Sequence, residues 1–300
     1  MNSVKNIIPA PETDDLTPVS TVMRNMRDVL VPKYGARETM AMIRIIFEHL
    51  KGWDPVDLLI NENKPLSAFI VRQIRDVVAR LMNDEPIQYI VGSAYFYGMN
   101  LKVGRGVLVP RPETEELVDM IVTAHKGSDL RVLDVGAGSG CIAIALSRNL
   151  PFSQVTALDI SDVAVKYIRE NAEVLHARIN VVVADIFSYQ PPAESLDIIV
   201  SNPPYIDESE KRDMDKNVLD YEPASALFVP DSDPLVFYRR IAEIGRDALV
   251  DNGSVYFEIN PAHASDMVAM MEALGYVNVS VHLDIHGKKR FLSAALRTRS

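Results

Sequence analysis

Residues 133–146 read LDVGAGSGCIAIAL, and this stretch decides the fold. The apolar residues up to Val135 predict a buried strand, and the apolar run after Gly140 predicts a helix. Between them, Gly136, Gly138 and Gly140 let the backbone turn tightly and approach a ligand closely. A glycine loop that joins a strand to a helix is typical of α/β proteins that bind nucleotides or related cofactors. We therefore expect a ligand site at this loop.

The spacing of the glycines differs from the dinucleotide-binding fingerprint. That fingerprint is G-x-G-x-x-G, whereas here the pattern is G-x-G-x-G and Cys141 follows it. Asp134 precedes the loop, and Asp159 ends the next predicted strand, 19 residues after Gly140. A carboxylate at that strand end can accept hydrogen bonds from both hydroxyls of a ribose. Taken singly, Asp159 and Asp185, which ends the third predicted strand, could equally be solvated strand ends, and Cys141 is interpreted as a small packing residue.

Strands and helices alternate from residue 130 onward, which predicts a parallel sheet covered on both faces. Only the short segment from His286 to Lys289 joins the last two strands, so we expect these two to pair antiparallel. The predicted strands are 130–135, 154–159, 179–184, 196–201, 253–259, 278–285 and 290–297, and the predicted helices among them are 141–149, 162–175, 234–249 and 262–273.

The first part of the chain, residues 17–83, has helical periodicity throughout. Pro32 and Gly35 predict a break in its first helical segment. Phe69 is expected to face inward with the other apolar residues of the last helix. The predicted helices start near Thr17, Glu38, Asp54 and Leu66.

Residues 87–111 are aromatic, β-branched and punctuated by glycine, which predicts a hairpin or small sheet. Pro112 then opens a helix with acidic residues in its first turn, as the helix dipole favours. We therefore expect a helical domain at 1–86, a β-hairpin linker at 87–111 and an α/β domain at 112–300.

The composition is that of an ordinary globular protein, with 48% hydrophobic and 24% charged residues. A net charge of −10 argues against a broad phosphate-binding surface, although an acidic enzyme can suit a basic protein substrate. A single cysteine excludes an intrachain disulfide, and residues 1–15, which we expect to be loose, lack the apolar core of a signal peptide. We expect a soluble cytoplasmic protein without a membrane span and, because the histidines lack metal-ligand spacing, without a metal site.

Residues 200–206 read VSNPPYI, directly at the end of an apolar predicted strand. The two prolines remove backbone donors, so the strand cannot continue past them. This leaves Asn202 at the carboxyl end of the strand, where α/β proteins bind ligands. Either the segment is only a rigid turn, or it forms a pocket for a planar amide.

The Asp-x-Gly-x-Gly-x-Gly loop followed by Asp159 resembles class I S-adenosylmethionine-dependent methyltransferases, whose seven-stranded sheet has an antiparallel last strand. In that class, Asn-Pro-Pro-Tyr occurs in enzymes that methylate a nitrogen conjugated to a π system, on a nucleic acid base or on glutamine. The Asn202 side-chain oxygen and the Pro203 carbonyl can accept the two hydrogens of such an NH₂ group. Tyr205 can lie against the planar group, and Pro204 keeps the turn rigid.

Five segments together resemble the peptide chain release factor glutamine N5-methyltransferase family, over about residues 20–297. The segments are QYIVGSAYFYG at 88–98, VLVPRPETEEL at 107–117, LDVGAGSGCIAIAL, VSNPPYI, and the pattern Asp284-x-x-Gly287-x-x-Arg290. The resemblance implies a Rossmann-like α/β methyltransferase domain after a helical domain that contacts the release factor. It implies methylation of the glutamine in Gly-Gly-Gln, with S-adenosylmethionine as donor and S-adenosylhomocysteine as product. Separately, we expect a monomer and, from the acidity of the chain, no stable binding of nucleic acid.

The resemblance also implies roles for individual residues. Catalysis would rest on Asn202, Pro203, Pro204 and Tyr205, which would hold the substrate glutamine with Arg111, Glu113 and Thr114. The cofactor would contact Gly136, Ala137, Gly138, Ser139, Gly140, Asp159, Asp185, Ile186 and Asn202.

Some positions depart from the family's pattern. Ile186 stands where relatives often have an aromatic residue, residues 229–235 replace a glycine-rich segment, and Glu258-Ile-Asn260 stands where Glu-Ile-Gly is usual. Three alternatives remain open at this point: methylation of amino groups in DNA or RNA bases, methylation of glutamine in a ribosomal protein, and a cofactor-binding scaffold without catalysis. The acidity of the chain counts against the first, and the intact glycine loop, Asp159 and Asn202 count against the last.

Overall fold

The computed structural model describes residues 16–298, apart from the side chain of Asp213. The expectations for residues 1–15 fall outside this range. The chain divides into two compact units between Gly92 and Ser93.

The first unit is helical, as its periodicity predicts, and its core is formed by apolar side chains of the two longest helices. The predicted break is present as a kink, because Gly35 has φ 76° and ψ 164° inside the first helix. Phe69 does not face inward: its side chain is 60% exposed, since the buried face of its helix runs through Val71, Ile74 and Val78. The elements are β1 Thr17–Pro18, α1 Val19–Lys51, α2 Pro55–Ile60, β2 Pro65–Leu66, α3 Ala68–Met82 and α4 Ile87–Val91.

The hairpin covers only part of the aromatic segment 87–111 that predicts it. Only Ser93–Phe96 (β3) and Met99–Lys102 (β4) pair, through a turn at Tyr97 and Gly98 in which both residues have positive φ. The preceding residues form the one-turn helix α4, whose apolar side chains join the helical core and which Gly92 ends in a left-handed conformation. Packing against helices outweighs the β-branched composition of this stretch.

The second unit is built on a seven-stranded sheet of order β12-β13-β11-β8-β5-β6-β7. β13 runs antiparallel to both of its neighbours, and the other neighbouring pairs are parallel, which confirms the predicted sheet. The strands of this unit beyond the hairpin are β5 Arg131–Val135, β6 Gln154–Asp159, β7 Ile179–Val183, β8 Leu196–Ser201, β9 Ile206–Asp207, β10 Phe228–Val229, β11 Leu249–Glu258, β12 Tyr276–Leu283 and β13 Lys289–Leu296.

Helices cover both faces of this sheet and enclose two hydrophobic cores. The central strands are buried on both sides and are accordingly rich in Val, Ile and Leu. The predicted helices between the strands are confirmed to within two residues at each end. The helices of the unit are α5 Pro112–Ala124, α6 Cys141–Asn149, α7 Asp162–Val174, α8 Lys216–Leu219, α9 Val236–Ala248 and α10 Ala264–Ala273.

The segment between β8 and α9 was not predicted by periodicity. It contains β9 and β10, which pair parallel, the short helix α8, and two 3-10 turns at Glu208–Asp213 and Ala224–Ala226. We refer to residues 206–229 as the 206–229 connection. It follows the Asn-Pro-Pro-Tyr turn directly, so it forms part of the surroundings of that turn.

Replacing Gly245 with alanine tests the packing of α9 on the sheet. An added Cβ at Gly245 would collide with the hydroxyl oxygen of Tyr276, which donates a hydrogen bond to Ala242 O at 2.7 Å. We expect Gly245→Ala to lower the free energy of unfolding by about 1–3 kcal/mol, the usual cost of overpacking. In a Tyr276→Phe background, urea denaturation should show a smaller cost, because the colliding oxygen is gone. An equal cost in both backgrounds would contradict this packing.

Candidate functional site

The glycine loop lies at the carboxyl end of β5 and is fastened to the neighbouring strand. The N–H groups of Gly136 and Ala137 donate to Leu158 O at 2.8 and 3.1 Å. Gly136 and Gly138 have positive φ, and a Cβ added to either would meet no atom within 4 Å. The loop therefore presents bare backbone to open space, which is the kind of cradle that a ligand can approach closely.

Asp159 ends β6 beside this loop. Its two carboxylate oxygens accept hydrogen bonds from Gly138 N and Ser161 N, each at 2.9 Å. A carboxylate offers about four lone-pair positions, so this one retains acceptor capacity for ligand hydroxyls. The residue is mostly buried but lines a cavity, so that capacity is directed at a ligand site.

A cavity of about 360 Å³ extends from the glycine loop to the Asn-Pro-Pro-Tyr turn, and we call it the loop cavity. It brings together most of the residues that the sequence predicts for the cofactor. Those that line it are Gly136, Gly138, Asp159, Asp185, Ile186 and Asn202, together with Pro203 and Pro204. Ala137 and Ser139 are buried within the loop and Gly140 caps α6, so these three shape the loop without lining the cavity.

Sequence reasoning missed two phenylalanines of the loop cavity. Phe187 and Phe237 both line it, and their ring centroids are 5.3 Å apart. Ile186 is buried next to them, and Arg240 Nε donates to its carbonyl at 3.0 Å. The aromatic surface that Ile186 lacks is thus supplied by its neighbour in sequence and by α9. Only Phe187, directly beside the expected position, could have been found from the sequence.

A second cavity, of about 250 Å³, also has Asn202 in its lining, and we call it the outer cavity. Asn202, Leu108 and Ala226 line both cavities. The rest of its lining is mostly apolar and comes largely from the 206–229 connection: Ile206, Met214, Val218 and Leu227, with Tyr205 and Arg111. A group bound in the outer cavity and a ligand bound in the loop cavity would therefore meet at Asn202.

The turn after β8 is held by a buried hydrogen-bonded chain. Asn202 Nδ2 donates to Thr114 Oγ1 at 3.3 Å, and the Thr114 hydroxyl donates to Glu258 Oε2 at 2.7 Å. The Tyr205 hydroxyl donates to Glu258 Oε1 at 3.0 Å. Burial raises the pKa of the Tyr205 hydroxyl, so this group stays a donor. The chain ties the turn to α5 and to the end of β11.

Asn260, a departure from the usual glycine, also supports the turn. Its Nδ2 donates to Tyr205 O at 3.1 Å and to Glu210 Oε1 at 3.2 Å, while its Oδ1 accepts from Ala262 N at 3.0 Å. The larger residue therefore adds contacts to the turn and to the 206–229 connection.

The Arg-Pro-Glu-Thr-Glu segment begins α5 and contributes to the site unevenly. Arg111 lines the outer cavity and forms an ion pair with the buried Glu222 at 2.6 Å, and Glu222 also accepts from Val109 N at 3.0 Å. Thr114 is buried and Glu113 is half-buried, and neither lines the loop cavity or the outer cavity. The arginine thus braces the 206–229 connection, and the threonine supports Asn202 from behind.

Other reactive groups near the loop are not arranged for chemistry. Burial raises the pKa of the Cys141 thiol to about 12, which keeps it protonated and unreactive at neutral pH. Within residues 16–298, no three His, Cys, Asp or Glu side chains converge in a way that could hold a metal ion. No helix in this range is long and apolar enough to cross a membrane.

Comparisons with known proteins agree with this geometry. The family model of the PrmC N-terminal domain matches residues 29–92, and that of the methyltransferase small domain matches residues 113–221. The release factor glutamine methyltransferase of Bacteroides thetaiotaomicron is 48% identical, covering 90% of this chain and 97% of its own length. That of Flavobacterium psychrophilum is 38% identical, covering 88% and 94%. That of Streptococcus pneumoniae is 43% identical, covering 80% and 85%.

The fold also matches a solved structure. A methyltransferase from Pyrococcus furiosus superposes with a TM-score of 0.51 at 17% identity, covering 73% of this chain and 97% of that one. At this identity the match shows a shared fold.

Replacing Asp134 with asparagine tests the electrostatics beneath the loop. The Asp134 carboxyl is fully buried, Ala143 N donates to its Oδ2 at 3.0 Å, and within the described part of the chain its Oδ1 has no hydrogen-bond partner. Burial raises its pKa to about 7, well above the value of about 3.9 in an unfolded chain. The folded state therefore binds this proton more tightly, and the stability this provides is lost as the pH rises through 7. Relative to the parent, Asp134→Asn should gain stability in urea denaturation between pH 4.5 and pH 8.

The matched control is Ser139→Ala, which removes a neighbouring buried hydroxyl that does not titrate. Its stability difference from the parent should be the same at each pH. A pH-independent difference for Asp134→Asn would rule out the raised pKa.

Proposed function

The chain belongs to the release factor glutamine methyltransferase family, and on that premise we propose that it methylates the side-chain amide nitrogen (N5) of glutamine in the Gly-Gly-Gln motif of class I peptide chain release factors. The observation that carries this proposal is that Asn202 lines both the loop cavity and the outer cavity. A methyl donor in one and an amide in the other would therefore be brought together at one polar side chain.

S-adenosylmethionine is the methyl donor of this enzyme class, and the loop cavity fits it. The open space above Gly136 and Gly138 admits a ligand against the backbone, and Asp159 has free acceptor capacity for ribose hydroxyls. Asp185 and Ile186, with the adjoining Phe187 and Phe237, would surround the adenine. When bound, the cofactor supplies a methyl group on a sulfonium, which is an excellent leaving group.

The residues of the turn meet the needs of an amide nucleophile. An amide nitrogen is a poor nucleophile because its lone pair is delocalised, so it must be oriented and not merely bound. The Asn202 side-chain oxygen and the Pro203 carbonyl can accept its two hydrogens, which would direct the lone pair at the methyl. Tyr205 would lie against the amide plane, and Pro204 keeps the backbone rigid. Positioning and electrostatics can then suffice without a strong general base.

The outer cavity suits a protein side chain better than a nucleic acid. Its lining is mostly apolar, and the charge of Arg111 is already compensated by the buried Glu222. A nucleic acid substrate calls for clustered cations that contact phosphates, whereas the net charge here is −10. The methylene groups of a glutamine between small residues are compatible with such a lining. We also propose that the enzyme acts in the cytoplasm, where translation terminates.

We further propose that the helical unit binds the release factor away from the glutamine. Its surface carries exposed apolar side chains that its own core does not use, namely Val56, Leu59 and Ile60 of α2 and Phe69 of α3. Apolar side chains exposed in this way are typical of protein interaction sites.

A methyl-transfer assay tests the reaction and the substrate together. Labelled S-adenosylmethionine would be offered with purified release factor, with its Gly-Gly-Ala variant and with total nucleic acid. Label should appear on the glutamine alone, identified by mass spectrometry. Asn202→Ala should lower the rate by about 10²-fold because the amide loses an orienting acceptor. Asn100→Ala, at an exposed asparagine of β4, serves as the control and should retain the parent rate. Label on nucleic acid and none on the factor would refute the proposed substrate.

Charged substitutions on the helical unit test the docking proposal. Leu59→Asp and Ile60→Asp should raise KM for the intact release factor by about tenfold, a loss of about 1.4 kcal/mol. KM for a short Gly-Gly-Gln peptide should stay unchanged, because the peptide lacks the part of the factor that would dock on α2. Phe152→Asp is the matched control: Phe152 is also exposed, but it lies before the start of β6, at the end of the strand opposite the one that lines the loop cavity. Equal effects on factor and peptide would argue against docking by this unit.

A further inference from the structure

Glu258 is a buried acidic residue at the site to which the methyl-transfer reaction assigns no role. It is the last residue of β11 and is 1% exposed. Its two carboxylate oxygens accept from different partners, Oε2 from the Thr114 hydroxyl at 2.7 Å and Oε1 from the Tyr205 hydroxyl at 3.0 Å. Both partners are linked to the Asn-Pro-Pro-Tyr turn, Thr114 by a hydrogen bond and Tyr205 as a member of it.

The chemistry of these groups fixes the direction of each hydrogen bond that links Asn202, Thr114 and Glu258. An ionised carboxylate can only accept, so the single hydroxyl hydrogen of Thr114 is committed to Glu258. Towards Asn202, the Thr114 oxygen can then only accept. The group of Asn202 that faces Thr114, at 3.3 Å, must therefore be the NH₂ group. The amide oxygen of Asn202 is consequently turned away from Thr114.

We infer that Glu258 is a positioning residue that, through Thr114, holds the Asn202 amide with its oxygen available to the substrate. This role rests on the proposed function, in which that oxygen accepts an N–H of the substrate amide. The side-chain amide of asparagine has a broad, nearly two-fold torsional preference, so nothing intrinsic to Asn202 prevents a half-turn. After a half-turn Asn202 would present N–H donors to the NH₂ of the substrate, and the two groups could not bond. The carboxylate thus selects the productive orientation from two.

The Glu258 carboxyl is subject to opposing influences, whose net effect is a raised pKa. Burial raises the pKa of the Glu258 carboxyl, and the hydrogen bonds from Thr114 and Tyr205 and the positive charge of Arg290 act in the opposite direction. The negative charge of Glu113 adds to the effect of burial. Arg290 itself is held by Asp284, with Nε donating to Oδ2 at 3.3 Å.

The Asp284-x-x-Gly287-x-x-Arg290 pattern acquires a physical purpose from this arrangement. Asp284 Oδ1 accepts from His286 N and Lys288 N, each at 2.9 Å, and Gly287 completes the turn with φ 77°. The turn therefore fixes the carboxylate of Asp284, which fixes Arg290, whose charge acts on Glu258. The pattern supports the ionised form of the carboxylate that orients Asn202.

Conservative variants of Thr114 test the inference in the full-length enzyme with release factor as substrate. Thr114→Val keeps the shape of the side chain but removes the hydroxyl, and kcat should fall at least about tenfold. Thr114→Ser restores the hydroxyl, and kcat should return to within about threefold of the parent. Glu258→Gln can donate to Thr114 and so reverse the chain, and its kcat should fall like that of Thr114→Val. Calorimetric titration with S-adenosylmethionine measures the fraction of folded, binding-competent enzyme in each sample. The Kd for S-adenosylmethionine should change less than about twofold in these variants.

Tyr238→Phe is the matched structural control. The Tyr238 hydroxyl donates to the backbone oxygen of Glu258 at 2.9 Å. Its loss therefore disturbs the same residue but leaves the hydrogen bonds of the Glu258 carboxylate in place. This variant should lose thermal stability as Thr114→Val does, yet keep the parent kcat. Three results would overturn the proposed role of Glu258. They are a parent-like kcat in Thr114→Val, a Thr114→Ser variant as slow as Thr114→Val, and an equal kcat loss in Tyr238→Phe. Failure of the parent enzyme to label the glutamine would overturn the proposed function, and the role of Glu258 with it.

Discussion

The site depends on the register of three neighbouring parallel strands. Val135 of β5 pairs with Ser201 of β8 on one side and with Leu158 of β6 on the other. The Ser201 hydroxyl also donates to Val135 O at 2.7 Å, which fixes the two strand ends at the same level. The residue that follows each of these three therefore lines the loop cavity: Gly136, Asp159 or Asn202. A shift of one residue in either pairing would turn one of these groups to the opposite face of the sheet. The loop cavity exists because the three strands end together and their chains then diverge.

This dependence explains which features the sequence could predict. Buried parallel strands are short, apolar and β-branched, so their positions and ends can be predicted from the sequence. The glycine loop and Asn202 follow two of those strand ends. The antiparallel last strand also follows from the short segment between β12 and β13, which is five residues long in the structure. Local patterns therefore suffice for the sheet and for the residues that follow its strands directly.

The remaining parts of the site depend on contacts between distant segments, which no local pattern encodes. Glu258 meets Thr114 across 144 residues, and Phe237 reaches the loop cavity from α9. The 206–229 connection has no sustained period, because it is built from short turns held by individual side chains. The inward orientation of Phe69 and the strand structure of residues 87–91 were predicted wrongly for a related reason. The neighbouring core decides which face of a helix is buried and whether a short β-branched segment forms a helix or a strand. Only tertiary packing provides that core.

The same fold serves many methyl acceptors, so substrate choice has to arise outside the regular elements. On the proposed function, it would arise in this protein where the irregular 206–229 connection is anchored beside the Asn-Pro-Pro-Tyr turn. Arg111 and Val109 hold the connection through Glu222, and Asn260 ties it, through Glu210, to the backbone of Tyr205. Both anchors depend on buried or half-buried polar groups, which are costly to leave unpaired, so the connection cannot move independently of the turn. The lining of the outer cavity and the orientation of Asn202 are thereby coupled. A change that alters which side chain fits the outer cavity would also disturb the amide that receives it. This coupling favours a single, well-defined acceptor over a broad range of acceptors.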